Sequence, residues 1–192
     1  MGPVIGTLCE IAGMLSPQSL SEDDRRRVAA WAAGCAERVL PLFESEAPDD
    51  DRPRDAIARA RGFAAGQLSA ADEIRQRFIA GRAAKSAVSP AGAAAARAAA
   101  QAAGVAHMGA HALGAAAYAA RAVRLSAGDP NAVNEELEWQ IACMSSDAAA
   151  ALRSLPPIGT DSAGPLGPGL LSSGDLGEHI RLLQARLHAT TA

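Results

Sequence analysis

Apolar residues recur every three or four positions along most of the chain, the spacing of one face of an α-helix. The first stripe follows the segment SEDD, where Ser21 can cap a helix and three acids complement its dipole. Pro41 lies inside the pattern, so we expect a kink that frees the carbonyl of Glu37. The stripe consists of Val28, Trp31, Cys35, Val39, Leu42 and Phe43.

Shorter helices are predicted next, and then a long apolar tract. One helix begins near Pro53 and ends near Gly66, and Ser69 can cap another. The tract spans residues 89 to about 125, and three glycines around its middle each lower helix propensity by about 1 kcal/mol relative to alanine. Either tight packing or a kink would explain them. They are Gly104, Gly109 and Gly114.

A regular amphipathic stripe begins after Asp129 and Pro130 and predicts a helix that ends at the next prolines, Pro156 and Pro157. Its apolar members are Val133, Leu137, Ile141, Met144, Ala148, Leu152 and Leu155.

Residues 156–174 are rich in proline and glycine, which favours a linker over a packed element. Asp175 and Glu178 then have the spacing of a capping box. The helix they start is marginal alone, so we expect it to dock on the bundle or on a second subunit. The predicted division is a bundle at 1–155, a linker at 156–174 and a docking helix at 175–192. The docking stripe is Leu176, Ile180, Leu183 and Leu187.

Composition supports this organisation. The 192 residues include 48 alanines but only 3 Phe, 2 Trp and 1 Tyr. Alanine has the highest helix propensity, and no alternating run of β-branched or aromatic residues indicates a strand. We therefore predict an all-α, alanine-rich multi-helix bundle with an appended C-terminal helix and a core of small side chains.

The N-terminal stretch is apolar, but Gly6, Glu10 and Gly13 interrupt it and no basic segment leads it. It predicts a short helix that covers the bundle, with neither a membrane span nor a signal peptide. The cysteines are three in number and widely spaced, which favours a reduced cytoplasm. Cys35 and Cys143 fall on apolar stripes, so we expect both to be buried.

A net charge of −3 gives no general attraction for nucleic acid. Basic residues nevertheless concentrate at 52–97 and acids at 129–178. Either these are solvated faces that complement each other within the fold or across a homodimer, or the basic one is a docking patch for an acidic partner. We favour the first alternative.

The segment AHMGAHALGAAAYAARAV carries the most distinctive chemistry. His107 and His111 are one helical turn apart and would supply half of a zinc shell, but the acid of a helical metalloprotease is absent between them. We therefore expect hydrogen-bonded histidines at a helix interface and no metal. Tyr118 and Arg121 continue the same face, so the four side chains could also line a small acid–base pocket, with Glu37 or Glu138 as their partner.

The loop PDDDRPR is dense in charge and proline. Asp50, Asp51, Arg52 and Arg54 could form a clasp between helices or a contact surface. Trp31, which we expect to anchor the core, and Trp139 complete the candidate binding residues. No nucleophile motif, phosphate loop or dinucleotide fingerprint is present, so we expect no cofactor.

Three blocks, WAAGCAERVLPLFE, PDDDRPRDAI and AHMGAHALGAAAYAARAV, resemble in this order the bacterial family named putative immunity proteins of toxin systems. The resemblance covers about residues 20–145 and implies an all-helical fold and neutralisation of a cognate toxin. Gly62 and Phe63 replace the aromatic step that usually follows the second block. The chain after residue 155 lies outside the pattern.

Two functions follow as hypotheses. The first is a cytoplasmic helical binding protein that occludes a protein partner such as a toxin. The alternative is a small non-redox enzyme (an isomerase, cyclase or hydrolase of a specialised pathway) that uses the histidine, tyrosine and arginine side chains on a small molecule. A pocket of several hundred cubic ångströms (about 300 Å³ or more) around those side chains would favour the enzyme.

Overall fold

The computed structural model describes residues 16–76 and 79–189, and this part of the chain is built of α-helices without a strand. The all-α prediction is confirmed. The helix predicted near the N-terminus, within residues 4–15, lies outside the described residues. The helices are α1 (Glu22–Glu44), α2 (Arg52–Ala64), α3 (Ala70–Gln76), α4 (Ile79–Ala83), α5 (Pro90–Gly104), α6 (His111–Ala127), α7 (Pro130–Ala142), α8 (Ser146–Arg153) and α9 (Gly174–Ala189).

Helix starts follow the capping signals of the sequence. The hydroxyl of Ser21 accepts a hydrogen bond from the backbone N–H of Asp24 at 3.1 Å, and Ser89 accepts one from Gly92 at 3.0 Å. These caps satisfy backbone donors that have no partner inside the helix. Gly128 ends α6 with φ 65°, a left-handed conformation that glycine adopts without steric cost.

Helix α1 lies at the centre, in contact with α2, α5, α6 and α8. Its Trp31 is only 5% exposed, and the indole N–H donates to the carbonyl of Gln140 at 2.7 Å, so the predicted core anchor is confirmed. Larger side chains such as Phe43, Phe63 and Leu113 fill the space around alanine-lined contacts. No helix among the described residues is both long and apolar enough to cross a bilayer.

The tract at 89–125 is divided by a turn at residues 105–110. In that turn the N–H of Gly109 donates to the carbonyl of Ser19 at 3.0 Å. A Cβ atom at Gly109 would lie 2.4 Å from a methyl carbon of Leu20, and one at Gly114 would lie 2.4 Å from Oε1 of Gln101. Close packing therefore explains these two glycines.

The stripe after Asp129 is also split into two helices, contrary to the single helix predicted. Helix α7 ends at Ala142, and Ser145 starts α8 by accepting a hydrogen bond from the N–H of Ala148 at 3.2 Å. The stripe stays buried across the break at Leu137 and Leu152, because both helices turn the same face to the bundle. Cys143 is exposed at the break, so the prediction that it is buried is wrong, whereas Cys35 is buried as expected.

The C-terminal segment packs on the bundle of its own chain. The predicted docking stripe on α9 is at most 3% exposed, and α9 contacts α6, α7 and α8. Between α8 and α9, Leu166 is fully buried. Its backbone N–H donates a hydrogen bond to the buried side-chain amide oxygen of Gln18 at 2.8 Å. The segment expected as a linker is thus held by contacts from the start of the chain. The division into domains stays a prediction.

Candidate partner-binding surface

The two predicted site histidines do not share a helix face. His107 is exposed in the turn before α6, whereas His111 is the first residue of α6 and is half-buried. Nδ1 of His111 lies 2.8 Å from Oε1 of Gln101 on α5. Gly114 leaves room for this Gln101 side chain, so the glycine supports a hydrogen bond between helices. The expectation of one common face is wrong because the chain turns between the two histidines.

The other members of the predicted pocket have separate partners. Tyr118 is 3% exposed, and burial raises the pKa of its hydroxyl. The guanidinium of Arg121 donates to Asp175 at the start of α9 at 2.7 Å. Glu37 instead pairs with Arg61 on α2, while Glu138 is exposed on α7.

The four side chains of the predicted pocket therefore lie apart. His107 faces solvent and His111 binds Gln101. Tyr118 is buried in the core and Arg121 pairs with α9. Five cavities of the described residues have none of these four side chains in their walls, although Glu138 lines one of them and Glu37 another. Within the same residues, no three histidine, cysteine, aspartate or glutamate side chains lie close enough to hold a metal ion. A pocket lined by these four side chains stays a prediction without further support.

The PDDDRPR loop, by contrast, forms an organised surface. Asp50 accepts a hydrogen bond from Nε of Arg52 at 2.7 Å, and this hydrogen bond from Arg52 lowers the pKa of Asp50 to about 2. The same guanidinium donates to the hydroxyl of Ser86 at 3.0 Å. Arg54 pairs with Glu44 at the end of α1, while Asp51 precedes α2 as an exposed residue without a side-chain cap. The loop therefore acts as a clasp between neighbouring elements, while its use as a contact surface stays a prediction.

A second clamp fixes the segment between α4 and α5. The carboxylate of Glu46 accepts the backbone N–H groups of Val88 at 2.7 Å and Ser89 at 2.9 Å, and also the Ser89 hydroxyl. Hydrogen bonding, above all from the Ser89 hydroxyl, lowers the pKa of Glu46. The backbone at Val88 is thus held in place, although its side chain is 86% exposed.

A cavity of about 160 Å³ lies between α2, α3, α4 and the end of α5. Arg52, Asp55 and Arg59 form one wall from a single face of α2, and Ile79 and Ala103 contribute apolar surface. The carboxylate of Glu73, 2% exposed, receives both Nε (3.2 Å) and Nη2 (2.7 Å) of Arg59. Arg52 lines the cavity and also binds Ser86, so this side chain links the cavity to the segment before α5. We call the cavity and this segment together the Val88 face, defined by Arg52, Asp55, Ile79, Ser86 and Val88.

A family model, Imm-5 like putative immunity protein, matches residues 18–147. The chain belongs to this immunity-protein family. Neither a curated protein nor a solved structure shows significant similarity to it.

The immunity-family region runs from α1 through α7 and reaches the start of α8. The whole Val88 face lies inside it, whereas α9 follows it. Sequence reasoning found Arg52 through the charged loop but missed Val88, Ile79 and Glu46. No local pattern relates Glu46 to the segment it clamps, because 42 residues separate it from Val88.

Charge pairing in the immunity-family region is mostly local. The α2 arginines face carboxylates on α1 and α3, as in the Arg61–Glu37 and Arg59–Glu73 pairs. On the acidic side, Glu136 is 2% exposed and pairs with Arg38 at 2.6 Å. The described ion pairs of the two charged segments are therefore made with neighbouring helices.

The two tryptophans proposed for binding differ in position. Trp31 is buried in the core, so its side chain is not available on the surface. Trp139 is half-buried, with the guanidinium carbon of Arg38 4.4 Å from its ring centroid. This cation–π contact gives Trp139 a structural role.

Proposed function

We propose that this protein acts as an immunity protein that binds a protein toxin and occludes it through the Val88 face. Membership in the immunity family supports a protein partner such as a toxin. The observation that carries the choice of surface is Val88, whose exposed apolar side chain sits on a backbone fixed by Glu46. The cytoplasm and the homodimer stay predictions beside this proposal.

A fixed apolar side chain suits protein recognition. Ordering an interface side chain or loop on binding costs roughly 0.5–1.5 kcal/mol for each flexible group, and a preorganised segment avoids much of this cost. The clamps from Glu46 and Arg52 supply that order before any partner arrives. An apolar residue surrounded by charged groups matches the core-and-rim arrangement of protein interfaces.

The cavity of the Val88 face suits one anchoring side chain of the partner. Its volume of about 160 Å³ is close to that of a cavity known to accept a benzene ring (~150 Å³). The walls combine apolar Ile79 and Ala103 with the carboxylate of Asp55 and two guanidinium groups. An aromatic side chain with a polar tip, such as tyrosine, satisfies both kinds of wall.

The experiment first screens the products of the neighbouring genes for a toxin domain that this protein neutralises. That toxin is then co-expressed with the protein, with cell growth and calorimetric affinity as measurements. Val88→Asp should weaken binding at least about tenfold, since a buried unpaired charge at an interface centre is costly. Leu170→Asp is the matched control, because Leu170 is 67% exposed but lies outside the immunity-family region. Retained protection by Val88→Asp would exclude the Val88 face, and failure of the unmodified protein to bind the toxin would overturn the proposed function.

The small-enzyme alternative has no observation in its favour. In the part of the chain that the structure describes, its side chains lie apart, and His111 and Arg121 bind Gln101 and Asp175 of the chain itself.

A further inference from the structure

A groove between the end of α8 and the outer face of α9 has an unusual charge. Its volume is about 470 Å³, and its walls contain Arg153, Arg181 and His188 but no acidic side chain. The chain as a whole carries a net charge of −3, so this is a local reversal of sign.

The arginines of the groove differ from those of α2. Arg54, Arg59 and Arg61 on α2 each face a carboxylate. Among the described residues, Arg153 and Arg181 form no ion pair; Arg181 donates only to the carbonyl of Ser172 at 3.2 Å. Their positive charge is therefore available to an outside group.

The groove is also preorganised. The amide of Gln184 on α9 accepts the backbone N–H of Ile158 at 3.0 Å and donates to the carbonyl of Pro156 at 3.0 Å. This double hydrogen bond ties the chain after α8 to α9 and fixes the distance between the two walls. Leu155 beneath it is 4% exposed and closes the floor.

The rest of the lining is apolar. Pro157 and Ile158 form one side, and Ala185 lies between Arg181 and His188 on the outer face of α9. Acidic and apolar side chains that alternate along an extended peptide point to opposite sides. Such a peptide can turn its acids to the Arg181 wall and its apolar side chains to Pro157 and Ile158.

We propose that this groove binds an acidic, partly apolar peptide segment of a protein partner. A nucleic acid fits less well, since the lining offers no tryptophan, tyrosine or phenylalanine on which bases could stack. A lipid surface fits less well because the cations lie in a concave groove. The site follows the immunity-family region, so it is a second contact, separate from the Val88 face.

The test is fluorescence polarisation of the full chain with a short labelled peptide that alternates glutamate and leucine. A matched peptide has glutamine in place of each glutamate. The acidic peptide should bind the unmodified protein, more tightly at low salt than at high salt, while the glutamine peptide should not bind.

Arg153→Glu together with Arg181→Glu should lower the affinity for the acidic peptide at least about tenfold, because close charge pairs at interfaces are strong. The control reverses two other exposed cations, Arg82→Glu with Lys85→Glu, and should change affinity by less than about twofold because distant exposed charges are screened. Arg153→Gln with Arg181→Gln provides a version without new negative charge, and circular dichroism verifies that each variant is folded.

The proposal is overturned if the acidic peptide does not bind, if the glutamine peptide binds equally, or if both double reversals weaken binding equally. Preferential binding of a thymidine oligonucleotide or of phosphatidylserine vesicles would also overturn it. None of these results bears on toxin binding by the Val88 face, which is measured with a different ligand and different variants.

Discussion

Helices α5 and α9 both pack on α6, but they do so with different side chains. The buried face of α5 is made of alanine and glycine, with members such as Ala94, Ala98 and Ala102. The buried face of α9 carries large side chains, with Ile180 and Leu183 fully buried. An alanine face stabilises helix packing because it lets two backbones approach closely over a long contact. A leucine face stabilises packing through the contacts of a few bulky side chains. The first contact should be sensitive to added volume and the second to removed volume.

Polar contacts follow the same contrast. Between α5 and α6, the Gln101–His111 hydrogen bond occupies space left by Gly104 and Gly114. Between α6 and α9, Asp175 receives Arg121 at 2.7 Å and Arg124 at 2.6 Å near the surface. The α9 contact therefore depends more on long side chains, which single substitutions can remove.

The largest effect is expected from Ile180→Ala on α9. Removing a fully buried isoleucine leaves a cavity and should lower the free energy of opening α9 by about 3 kcal/mol. Amide hydrogen exchange of α9 measures this quantity directly. Leu182→Ala is the matched control on the same helix, because Leu182 is 38% exposed and its truncation should cost less than about 1 kcal/mol. Equal effects of the two changes would contradict the difference between the faces of α9.

A smaller loss is expected from Ala98→Leu on α5. The added carbons have no space on a fully buried alanine face, so overpacking should lower the free energy of unfolding by about 2 kcal/mol. Urea unfolding followed by circular dichroism is the measurement. Ala93→Leu adds the same volume at a half-buried position of α5 and should change stability by less than about 1 kcal/mol. If Ala98→Leu were stabilising, the α5 contact would contain unfilled space and the contrast with α9 would fail.

Much of this arrangement was predictable, because stripe spacing and caps are local properties of the sequence. The α9 stripe and the cap at Ser21 were found in this way. The break between α7 and α8 was not, since helical spacing continues across it; the only local signal was the capping residue Ser145. The turn at 105–110 had no usable signal, because its position depends on backbone hydrogen bonds to residues far away in sequence.

The candidate surface was less predictable than the fold. Charge density singled out Arg52 and Asp50 as a candidate contact segment because both lie in one short loop, and this role stays a prediction. Val88 is an isolated apolar residue in the sequence, and neither its exposure nor its long-range clamp by Glu46 can be recognised from the residues around it. The histidine pair was misjudged because a shared face at a spacing of four residues requires a continuous helix.

The smallest effect is expected from Asp175→Asn. This change tests the ion pairs between α6 and α9. Burial alone would raise the pKa of Asp175, but the hydrogen bond from Arg124 and the charges of Arg121 and Arg124 outweigh it and lower that pKa. A carboxyl whose pKa is lower in the folded state contributes stability above its unfolded pKa and loses it as the pH falls through the folded value.

The free energy of unfolding of the unmodified protein should therefore be about 1 kcal/mol higher than that of Asp175→Asn at neutral pH. This value is typical of partly exposed ion pairs. The difference should be constant above about pH 5 and should shrink as the pH falls below the ordinary aspartate pKa of about 3.9. Urea unfolding at a series of pH values measures it, and Asp147→Asn is the control because Asp147 is 70% exposed and lies 3.8 Å from Arg27. A difference that persists unchanged at acidic pH would show that Asp175 stabilises α9 by shape or capping instead of by charge. The contact between α6 and α9 would then depend on its apolar face alone.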